Sequence, residues 1–403
     1  MRRVVTFVSL VLVAACTGYH PGSESSGTVP GTPPTSVAAR ATTEASRSAC
    51  SVTERVAGTA GRWTRAVLPA EVLAHPGAVT AVSAAGARTA WAVGHIGAAV
   101  PGAARHPFAL AWDGTRWTST PGPAWSGDFV SVAAVDARAA WAVGTEPLAG
   151  GDERSHLLRW DGSSWREAWP APESGISAFA RLRQVAADSC GRVYLVGGDR
   201  DVPLIAQWDG QAWHRLPSPA SSGSSAEADL VSFRPGTRVW VGVSWTGGGH
   251  AIMSWDGRAW RTEQLVGGWN VGLSALTVFA DDQVWLFSNR SWVGGPIDRP
   301  APPNQNFATT VSGSGPLPST LKWPAVMGVS GHAGPEWVIG SGGVARWAGR
   351  RWVSVPGVVP RGFLAEAIAP VPGTGETWLA AAAPEGMPTA ATGRPLLLRF
   401  VPG

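Results

Sequence analysis

The stretch Ala90-Trp91-Ala92-Val93-Gly94, followed by Ala111-Trp112-Asp113-Gly114-Thr115-Arg116-Trp117, is one copy of a repeat that runs along the chain. The first aromatic residue of each copy falls at Trp91, Trp141, Tyr194, Trp240, Trp285, Trp337 and Trp378. The spacing varies from 41 residues (Trp337 to Trp378) to 53 residues (Trp141 to Tyr194). Repeats of this length that contain several short strands are typical of propeller blades. The repeat therefore predicts an all-β fold, a seven-bladed β-propeller with four-stranded blades.

The first copy divides into four short strands, A to D. Strand A is Val79–Ser83, strand B is Ala90–Val93, strand C is Phe108–Trp112 and strand D is Arg116–Thr118. Asp113-Gly114 opens the turn between strands C and D, because glycine accepts the positive φ that a tight turn requires. Strand D carries one tryptophan in every copy, at Trp63, Trp117, Trp165, Trp213, Trp260, Trp323 and Trp352.

The last copy has strands A to C, ending at Phe400, and lacks strand D. The segment Ala60–Thr64 matches the missing strand. We therefore predict that the N-terminal strand, about residues 61–69, pairs with the strand of Phe400 and closes the ring. Closure removes an exposed sheet edge, which would otherwise favour aggregation.

The 23 tryptophans divide into two groups. Eighteen occupy repeat positions on strands B, C and D, where a large ring fills the wedge between adjacent blades. The other five lie in connections between strands, at Trp125, Trp169, Trp245, Trp269 and Trp292.

The N-terminus resembles the export signal of a bacterial lipoprotein. Two arginines precede an apolar run, residues 4–13, that is too short to span a bilayer. Small residues then precede Cys16, the position at which a lipoprotein is cleaved and acylated. We predict a signal peptide over residues 1–15, a disordered tether rich in Ser, Thr, Gly and Pro over residues 16–49, and the propeller over residues 50–403. The protein would be lipid-anchored to the outer face of the bacterial cytoplasmic membrane, and only the anchor would contact the membrane.

Two further cysteines, Cys50 and Cys190, remain after export. An even pair in an exported chain favours a disulfide. Cys190 belongs to the A–B turn of the third copy, and the twelve residues from Cys50 to Arg62 are long enough to cross the ring. We therefore predict a Cys50–Cys190 disulfide, with two unpaired cysteines as the alternative.

The composition disfavours several classes of function. The formal net charge is +4 without any run of basic residues, so nucleic-acid binding is not expected. No zinc-binding His/Cys cluster and no Gly-x-Ser-x-Gly motif is present, and we expect neither a metal nor a cofactor. Asp199-Arg200-Asp201 brings two carboxylates together, but a solvated turn explains them better than a calcium site.

The two faces of the predicted disc differ. The A–B and C–D turns are short and share one face, the turn face. The B–C and D–A connections are longer, vary between copies and share the opposite face, the loop face, where binding residues are expected to concentrate. We predict ligand contacts there from Trp125, Trp245, Trp269, Trp292, Asp199, Arg200 and Arg290. The alternative is that these tryptophans fold back onto the blades.

The repeat resembles the Asp-box (BNR-like) propeller repeats, most closely those of photosystem II assembly factor-like propellers and more distantly those of sialidases. The resemblance covers about residues 60–403. In the usual Asp box one residue separates Asp from Gly, whereas Asp113 and Gly114 are adjacent here. A sialidase would imply a tyrosine nucleophile. Tyr19 lies in the tether and Tyr194 occupies the packing position of Trp91, so the catalytic residues of sialidases do not carry over.

Three functions are compatible with this pattern. The leading hypothesis is a non-enzymatic binding module that recognises an envelope protein or a cell-wall glycan through the loop face. The second is a glycan-active hydrolase or lyase that uses carboxylates such as Asp128, Asp152 or Glu153. The third is a structural assembly factor with a broad apolar patch.

Overall fold

The repeats fold into four-stranded antiparallel sheets arranged as a β-propeller in a computed structural model. The residues described all belong to the unit Ser46–Gly403. They are 60–97, 104–188, 190–219, 225–246, 248–266, 271–280, 283–290, 307–310, 313–316, 326–340, 343–349, 351–383 and 393–403.

Each of the first four sheets follows the chain order from the inside of the ring to its rim. Their strands are β2 (Gly77–Gly86), β3 (Thr89–Ile96), β4 (His106–Trp112) and β5 (Trp117–Thr120); β6 (Asp128–Ala134), β7 (Ala140–Pro147), β8 (Glu153–Trp160) and β9 (Trp165–Glu167); β10 (Arg181–Ala187), β11 (Val193–Asp199), β12 (Val202–Trp208) and β13 (Trp213–Arg215); and β14 (Ala226–Ser232), β15 (Val239–Trp245), β16 (His250–Trp255) and β17 (Trp260–Val266).

The remaining three sheets include the one that contains both ends of the propeller. Their strands are β18 (Val271–Ala280), β19 (Gln283–Arg290), β20 (Phe307–Thr310) and β21 (Gly313–Pro316); β22 (Val326–Ser330), β23 (Trp337–Gly340), β24 (Gly343–Trp347) and β25 (Trp352–Val355); and β26 (Leu364–Pro370), β27 (Thr377–Ala382), β28 (Leu396–Pro402) and β1 (Gly61–Arg65). A short helix, α1 (Ala70–Leu73), and a 3-10 turn, Pro172–Ser174, lie between strands.

The outer strand of the fifth sheet differs from the prediction. The sequence places that strand at Trp323, whereas the fourth strand of the sheet is β21, at residues 313–316. Trp323 itself lies outside the described residues. This copy has no Trp-Asp-Gly motif, so the sequence contains no marker for the turn between β20 and β21.

The strand β1 completes the last sheet, as the sequence predicts. It pairs antiparallel with β28, with Trp63 opposite Phe400. The strand ends at Arg65 rather than near residue 69. Leu68 turns into a core cluster that also contains Trp117, and Pro69 has no N–H group to continue a strand ladder.

The inner strands form a closed ring. Each of β2, β6, β10, β14, β18 and β22 contacts the next inner strand, and β26 contacts β2. Side chains reinforce several of these contacts. Ser83 Oγ accepts a hydrogen bond from Ala134 N (3.0 Å), and Ser232 Oγ accepts one from Val278 N (3.0 Å). Gln184 Oε1 accepts one in the same way from the backbone of β14.

Indole wedges fill the junctions between adjacent blades. The strand B tryptophan of one blade packs against two aromatic rings on strands C and D of the next, with ring centroids 4.9 to 5.9 Å apart. The described wedges are Trp91 with Trp160 and Trp165, Trp141 with Trp208 and Trp213, Trp285 with Trp347 and Trp352, Trp337 with Trp63 and Phe400, and Trp378 with Trp112 and Trp117. The packing role predicted for the repeat tryptophans is therefore confirmed for these residues.

The aspartate of each Trp-Asp-Gly motif organises the turn between strands C and D. Asp113 Oδ1 accepts hydrogen bonds from the backbone N–H groups of Thr115 (2.8 Å) and Arg116 (2.9 Å). The hydrogen bond from the Thr115 hydroxyl, together with these backbone bonds, lowers the pKa of Asp113 to about 2. Gly114 supplies the positive φ of 100° that the turn needs.

The turns between strands A and B are linked across the turn face. Arg192 donates hydrogen bonds to carbonyl groups in the next such turn, residues 234–237. Arg234 in turn donates to the carbonyl of His332, two blades further on. The buried His332 ring places Nε2 3.3 Å from the carbonyl oxygen of Val371 in the last blade.

Among the described residues, no helix has both the length and the apolar character needed to cross a bilayer.

Candidate functional site

A β-bulge interrupts the inner strand at the equivalent place in each of the seven sheets that the described residues form. The register with strand B skips one residue each time, because the inner strand carries one extra residue there. Such a bulge re-aims a side chain and sharpens the local twist. The seven extra residues are Thr80, Val130, Arg183, Asp229, Ser274, Met327 and Glu366.

These bulges surround a central cavity of about 390 Å³, which is lined by inner strands from all seven sheets. Six of the bulge residues line it, and three of those are ionisable: Arg183, Asp229 and Glu366. The rest of the wall is mainly small, apolar or hydroxyl-bearing. The bulge recurs at the same place in each inner strand, but the residue at the bulge differs from strand to strand. The chemical character of the cavity wall therefore varies around the ring.

Charged residues concentrate where the third and fourth blades meet this ring. Arg181 Nη2 lies 2.5 Å from Glu227 Oε1, and Arg183 donates from Nε (3.0 Å) and Nη2 (2.8 Å) to Glu227 Oε2. The Glu227 side chain is only 18% exposed, whereas Arg181 is 59% and Arg183 is 44% exposed. One sheltered carboxylate therefore holds two guanidinium groups whose outer surfaces face solvent.

A second polar group adjoins this triad. Burial raises the pKa of Asp229, and the neighbouring charge of Glu227 acts in the same direction, while the hydrogen bond to Ser244 opposes them. His250 Nδ1 lies 2.8 Å from Ser244 Oγ. Arg181, Glu227, Ser244 and His250 lie at or next to strand ends on the loop face, and Arg183 and Asp229 are the bulge residues of the same two inner strands. We call Arg181, Arg183, Glu227, Asp229, Ser244 and His250 the mouth cluster.

The predicted contact Trp245 directly follows Ser244 at the end of β15. Its ring is half-buried and packs against the core cluster of the fourth blade, so part of the ring serves the fold. It lies beside the mouth cluster, and its role as a ligand contact stays a prediction.

Trp125 is folded onto its blade. Its ring stacks on His156 with centroids 4.4 Å apart and an interplanar angle of 7°, and it meets Phe129 edge-on at 5.7 Å. A Cβ atom at Gly144 would lie 2.4 Å from the Trp125 ring. Trp125 thus adopts the alternative arrangement that we considered from the sequence, in which the tryptophan folds back onto its blade.

His156 beneath Trp125 is itself held by two carboxylates. Its Nε2 lies 3.1 Å from Glu146 Oε2 and its Nδ1 lies 3.3 Å from Glu167 Oε1. Burial opposes the charged form of His156, yet the hydrogen bonds and charges of Glu167 and Glu146 outweigh it and raise the pKa. Arg154 approaches Glu146 at 3.4 Å from the exposed side.

Asp199 is buried rather than presented to solvent. Its side chain is 3% exposed, and Oδ2 accepts hydrogen bonds from Arg215 Nη1 (2.7 Å) and Ser177 N (3.2 Å). Arg200 is exposed, and it and Asp201 both have positive φ, 52° and 65°, as in a two-residue hairpin turn. Asp199 and Asp201 thus belong to a structural turn. Of the two predicted ligand contacts in this turn, Asp199 and Arg200, only Arg200 faces solvent.

The second hypothesis named Asp128, Asp152 and Glu153 as catalytic carboxylates. Asp128 is engaged by His95 Nδ1 (2.9 Å) and Arg105 Nη1 (2.7 Å). Burial opposes the charged form of Asp128, but these two partners lower its pKa, which favours a fixed carboxylate. Asp152 and Glu153 are exposed at the start of β8.

Several predicted residues cannot be placed. Cys16, Cys50, Trp269 and Trp292 lie outside the described residues, as do the signal peptide and the tether. Arg290 ends β19 opposite Val271. Cys190 lies in the turn between β10 and β11, where its N–H donates to Asp188 Oδ1 (3.0 Å). Its pairing with Cys50 stays a prediction.

In the part of the chain that the structure describes, no group of three or more His, Cys, Asp or Glu side chains is placed to hold a metal ion.

Comparison with known proteins finds similarity at the level of the fold. No family model matches the chain, and no curated protein matches it. Among solved structures, YCF48 bound to a D1 peptide is similar with a TM-score of 0.50 and 15% identity, over 88% of this chain and 98% of that one. The GH74 xyloglucanase of Xanthomonas campestris has a TM-score of 0.46 and 17% identity, over 83% of this chain and 55% of that one. Raptor of Chaetomium thermophilum has a TM-score of 0.48 and 12% identity, over 85% of this chain and 30% of that one. The likeness to YCF48 supports the propeller fold.

The raised pKa of His156 predicts a pH-dependent contribution to stability. The protonated ring stabilises the folded state fully below the ordinary value of 6.5, and this contribution is lost as pH rises through the higher folded pKa. We expect His156→Gln to lower the free energy of unfolding most at mildly acidic pH and progressively less at alkaline pH. Urea unfolding across this range measures the difference.

His106→Gln, the same substitution at an exposed position, provides the control. A His156→Gln effect that stays constant across the pH range would mean that the pKa of His156 is the same in the folded and the unfolded protein, which would contradict the raised value.

Proposed function

We propose that this protein is an exported, non-enzymatic binding module that recognises a segment of an envelope protein at the loop-face end of its central ring. The mouth cluster is the recognition centre. The observation that carries the proposal is the Arg181–Glu227–Arg183 triad, because it leaves two oriented guanidinium groups exposed beside a cavity.

The electrostatics of the triad suit recognition better than stability. Exposed ion pairs contribute little to folding, about 0–1 kcal/mol each. A guanidinium already oriented by a sheltered carboxylate loses less freedom when it binds a ligand, and arginine is enriched among residues that dominate interface energies. His250 and Ser244 add hydrogen-bonding groups, and Trp245 adds apolar surface next to them.

A polypeptide ligand fits this mixture of groups. Two exposed cations, a half-buried carboxyl group, a hydroxyl and an imidazole can bind both the charged side chains and the backbone of a peptide segment. The similar propeller YCF48 was solved with a bound peptide, which is compatible with such a role for a fold of this kind. A cell-wall glycan is the other ligand that the loop face was predicted to bind.

The anchor completes the proposal. Acylation of Cys16 would hold the protein on the outer face of the cytoplasmic membrane, and residues 17–49 would let the propeller reach neighbouring envelope components. A Cys50–Cys190 disulfide would fix the start of the folded part to the turn face and leave the loop face accessible.

Replacement of Cys16 tests the anchor. We expect Cys16→Ser to abolish incorporation of a labelled fatty acid and to move the protein from the membrane fraction to the soluble or secreted fraction. Cys50→Ser serves as the matched control and should remain membrane-bound. Membrane retention of Cys16→Ser, or labelling that persists in it, would contradict the lipoprotein assignment.

Site-specific crosslinking in cells tests the binding function. A photoreactive amino acid at Arg200 reports on the loop face near the mouth cluster, and one at Arg258, in a turn between strands C and D, reports on the turn face. We expect one dominant protein adduct from position 200 and none from position 258. Arg183→Gln combined with Glu227→Gln, which removes both charges together, should lower the yield about tenfold, because charged hydrogen bonds contribute about 1.5–3 kcal/mol.

Other outcomes would redirect the assignment. Equal adducts from both faces, or adducts unchanged in the double variant, would contradict binding at the mouth cluster. Shortened cell-wall glycan that appears with the wild-type protein and disappears with Asp229→Asn would support the hydrolase instead, because Asp229 and Glu227 are the carboxyl groups that lie together on β14.

A further inference from the structure

A second cavity lies on the rim of the propeller, where the last blade meets the first. It lies between β1, the outer strand of the last blade, and β5, the outer strand of the first, and has a volume of about 610 Å³. We call it the seam groove. Volumes of about 300–1,000 Å³ are typical of small-molecule sites. The groove is separate from the central ring, since none of its lining residues belongs to an inner strand.

The closing strand creates one wall of the groove. After β1 the chain leaves the sheet, and Leu68 and Val72 insert into the core beside Trp117 and Trp378. Directly after β1, the backbone is held by the hydrogen bond from Ala66 N to Leu397 O (2.9 Å). This wall is therefore fixed by core packing.

The floor of the groove is aromatic and preorganised. Trp112 is half-buried, with Trp378 edge-on at 5.1 Å and Trp117 tilted at 5.5 Å. Its Nε1 donates to the carbonyl of Ala87 (3.1 Å), so the ring has a defined orientation. Arg399 lies over the Trp112 ring at 5.2 Å and is itself held by Glu376. A ligand would meet Trp112 with little loss of side-chain freedom.

The upper walls are polar and electrically balanced. Arg65, Glu71, Arg116 and Ser119 are exposed around the floor. The three guanidinium groups that line the groove, on Arg65, Arg116 and Arg399, are matched by three carboxylates that line or adjoin it, on Glu71, Asp113 and Glu376. A ligand with a large net charge gains nothing from this arrangement.

We propose that the seam groove binds a neutral saccharide. A pyranose ring presents apolar C–H groups on one side, which suit the accessible part of Trp112, and hydroxyl groups around its edge, which suit Glu71, Arg116 and Ser119 as partners. An extended peptide fits less well, because β1 and β5 contain only five and four residues and would offer few ladder hydrogen bonds to an added strand.

Isothermal titration calorimetry on the purified propeller with chitotetraose, cellotetraose and mannotetraose tests the proposal. We expect at least one of them to bind with a Kd of about 1 mM or tighter. Glu71→Ala combined with Arg116→Ala should weaken that binding at least tenfold, since two hydrogen bonds to charged groups are lost. Both side chains are exposed, so the melting temperature should not change.

Two controls isolate the site. Arg261 is an exposed arginine that approaches the turn aspartate Asp256 (3.5 Å) much as Arg116 approaches Asp113 (3.6 Å), and Arg261→Ala should leave saccharide affinity unchanged. Arg183→Gln combined with Glu227→Gln, which disables the mouth cluster, should also leave it unchanged. Failure of the binding module proposed above is thus distinguishable from failure of this site.

Three results would overturn the proposal. One is the absence of binding by all three saccharides. Another is binding that the Glu71→Ala/Arg116→Ala variant retains in full. The third is that a peptide binds while no saccharide does, and that the same variant loses the peptide binding. This result would assign the groove to peptides.

Discussion

The fold depends on the packing of indole rings between blades. A propeller blade is a twisted sheet that cannot bury both faces alone, so each must be covered by its neighbours. The strand B tryptophan of one blade lies between the aromatic rings of strands C and D of the next, in edge-to-face contacts that stabilise beyond the area they bury. The same wedge closes the ring, where Trp337 meets Trp63 from the N-terminal strand. Closure is thus a further copy of the packing used at the other described junctions.

Because the indole rings fix the packing between blades, the residue types on the inner strands can differ from blade to blade. Six of the seven bulges among the described inner strands place a residue on the wall of the central cavity, while hydrogen bonds such as Val231 N to Gln184 Oε1 join adjacent strands. The third and fourth blades use this freedom most, with Arg183 and Asp229 at their bulges. The bulges thus contribute Arg183 and Asp229 to the mouth cluster, and neighbouring positions on β10, β14, β15 and β16 supply its other residues.

The sequence predicts the architecture well because the repeat reports local structure. The Trp-Asp-Gly motif marks each turn between strands C and D, and Ala60–Thr64 matches it, which identified the closing strand. The functional positions depend on contacts between distant residues and are harder to predict. Asp199 looked like an exposed carboxylate, but Ser177 and Arg215 bury it from other segments of the third blade. A β-bulge cannot be predicted from the sequence of one strand either, because it is defined by the pairing register with the neighbouring strand. The sequence shows Arg183 and Glu366 as charged residues in mainly small or apolar strands, but it gives no sign of the bulges that place them on the cavity wall.

The central claim, that indole wedges hold the ring together, is tested most directly by Trp378→Ala. This ring is 1% exposed and lies between Trp112 and Trp117 at the junction of the last and first blades. Urea unfolding should show a loss of about 3–5 kcal/mol, as is typical of a buried tryptophan. Val67→Ala, at an 86% exposed position of the same junction, should leave stability unchanged. A loss below about 1 kcal/mol for Trp378→Ala, within the range of an ordinary surface substitution, would contradict the account.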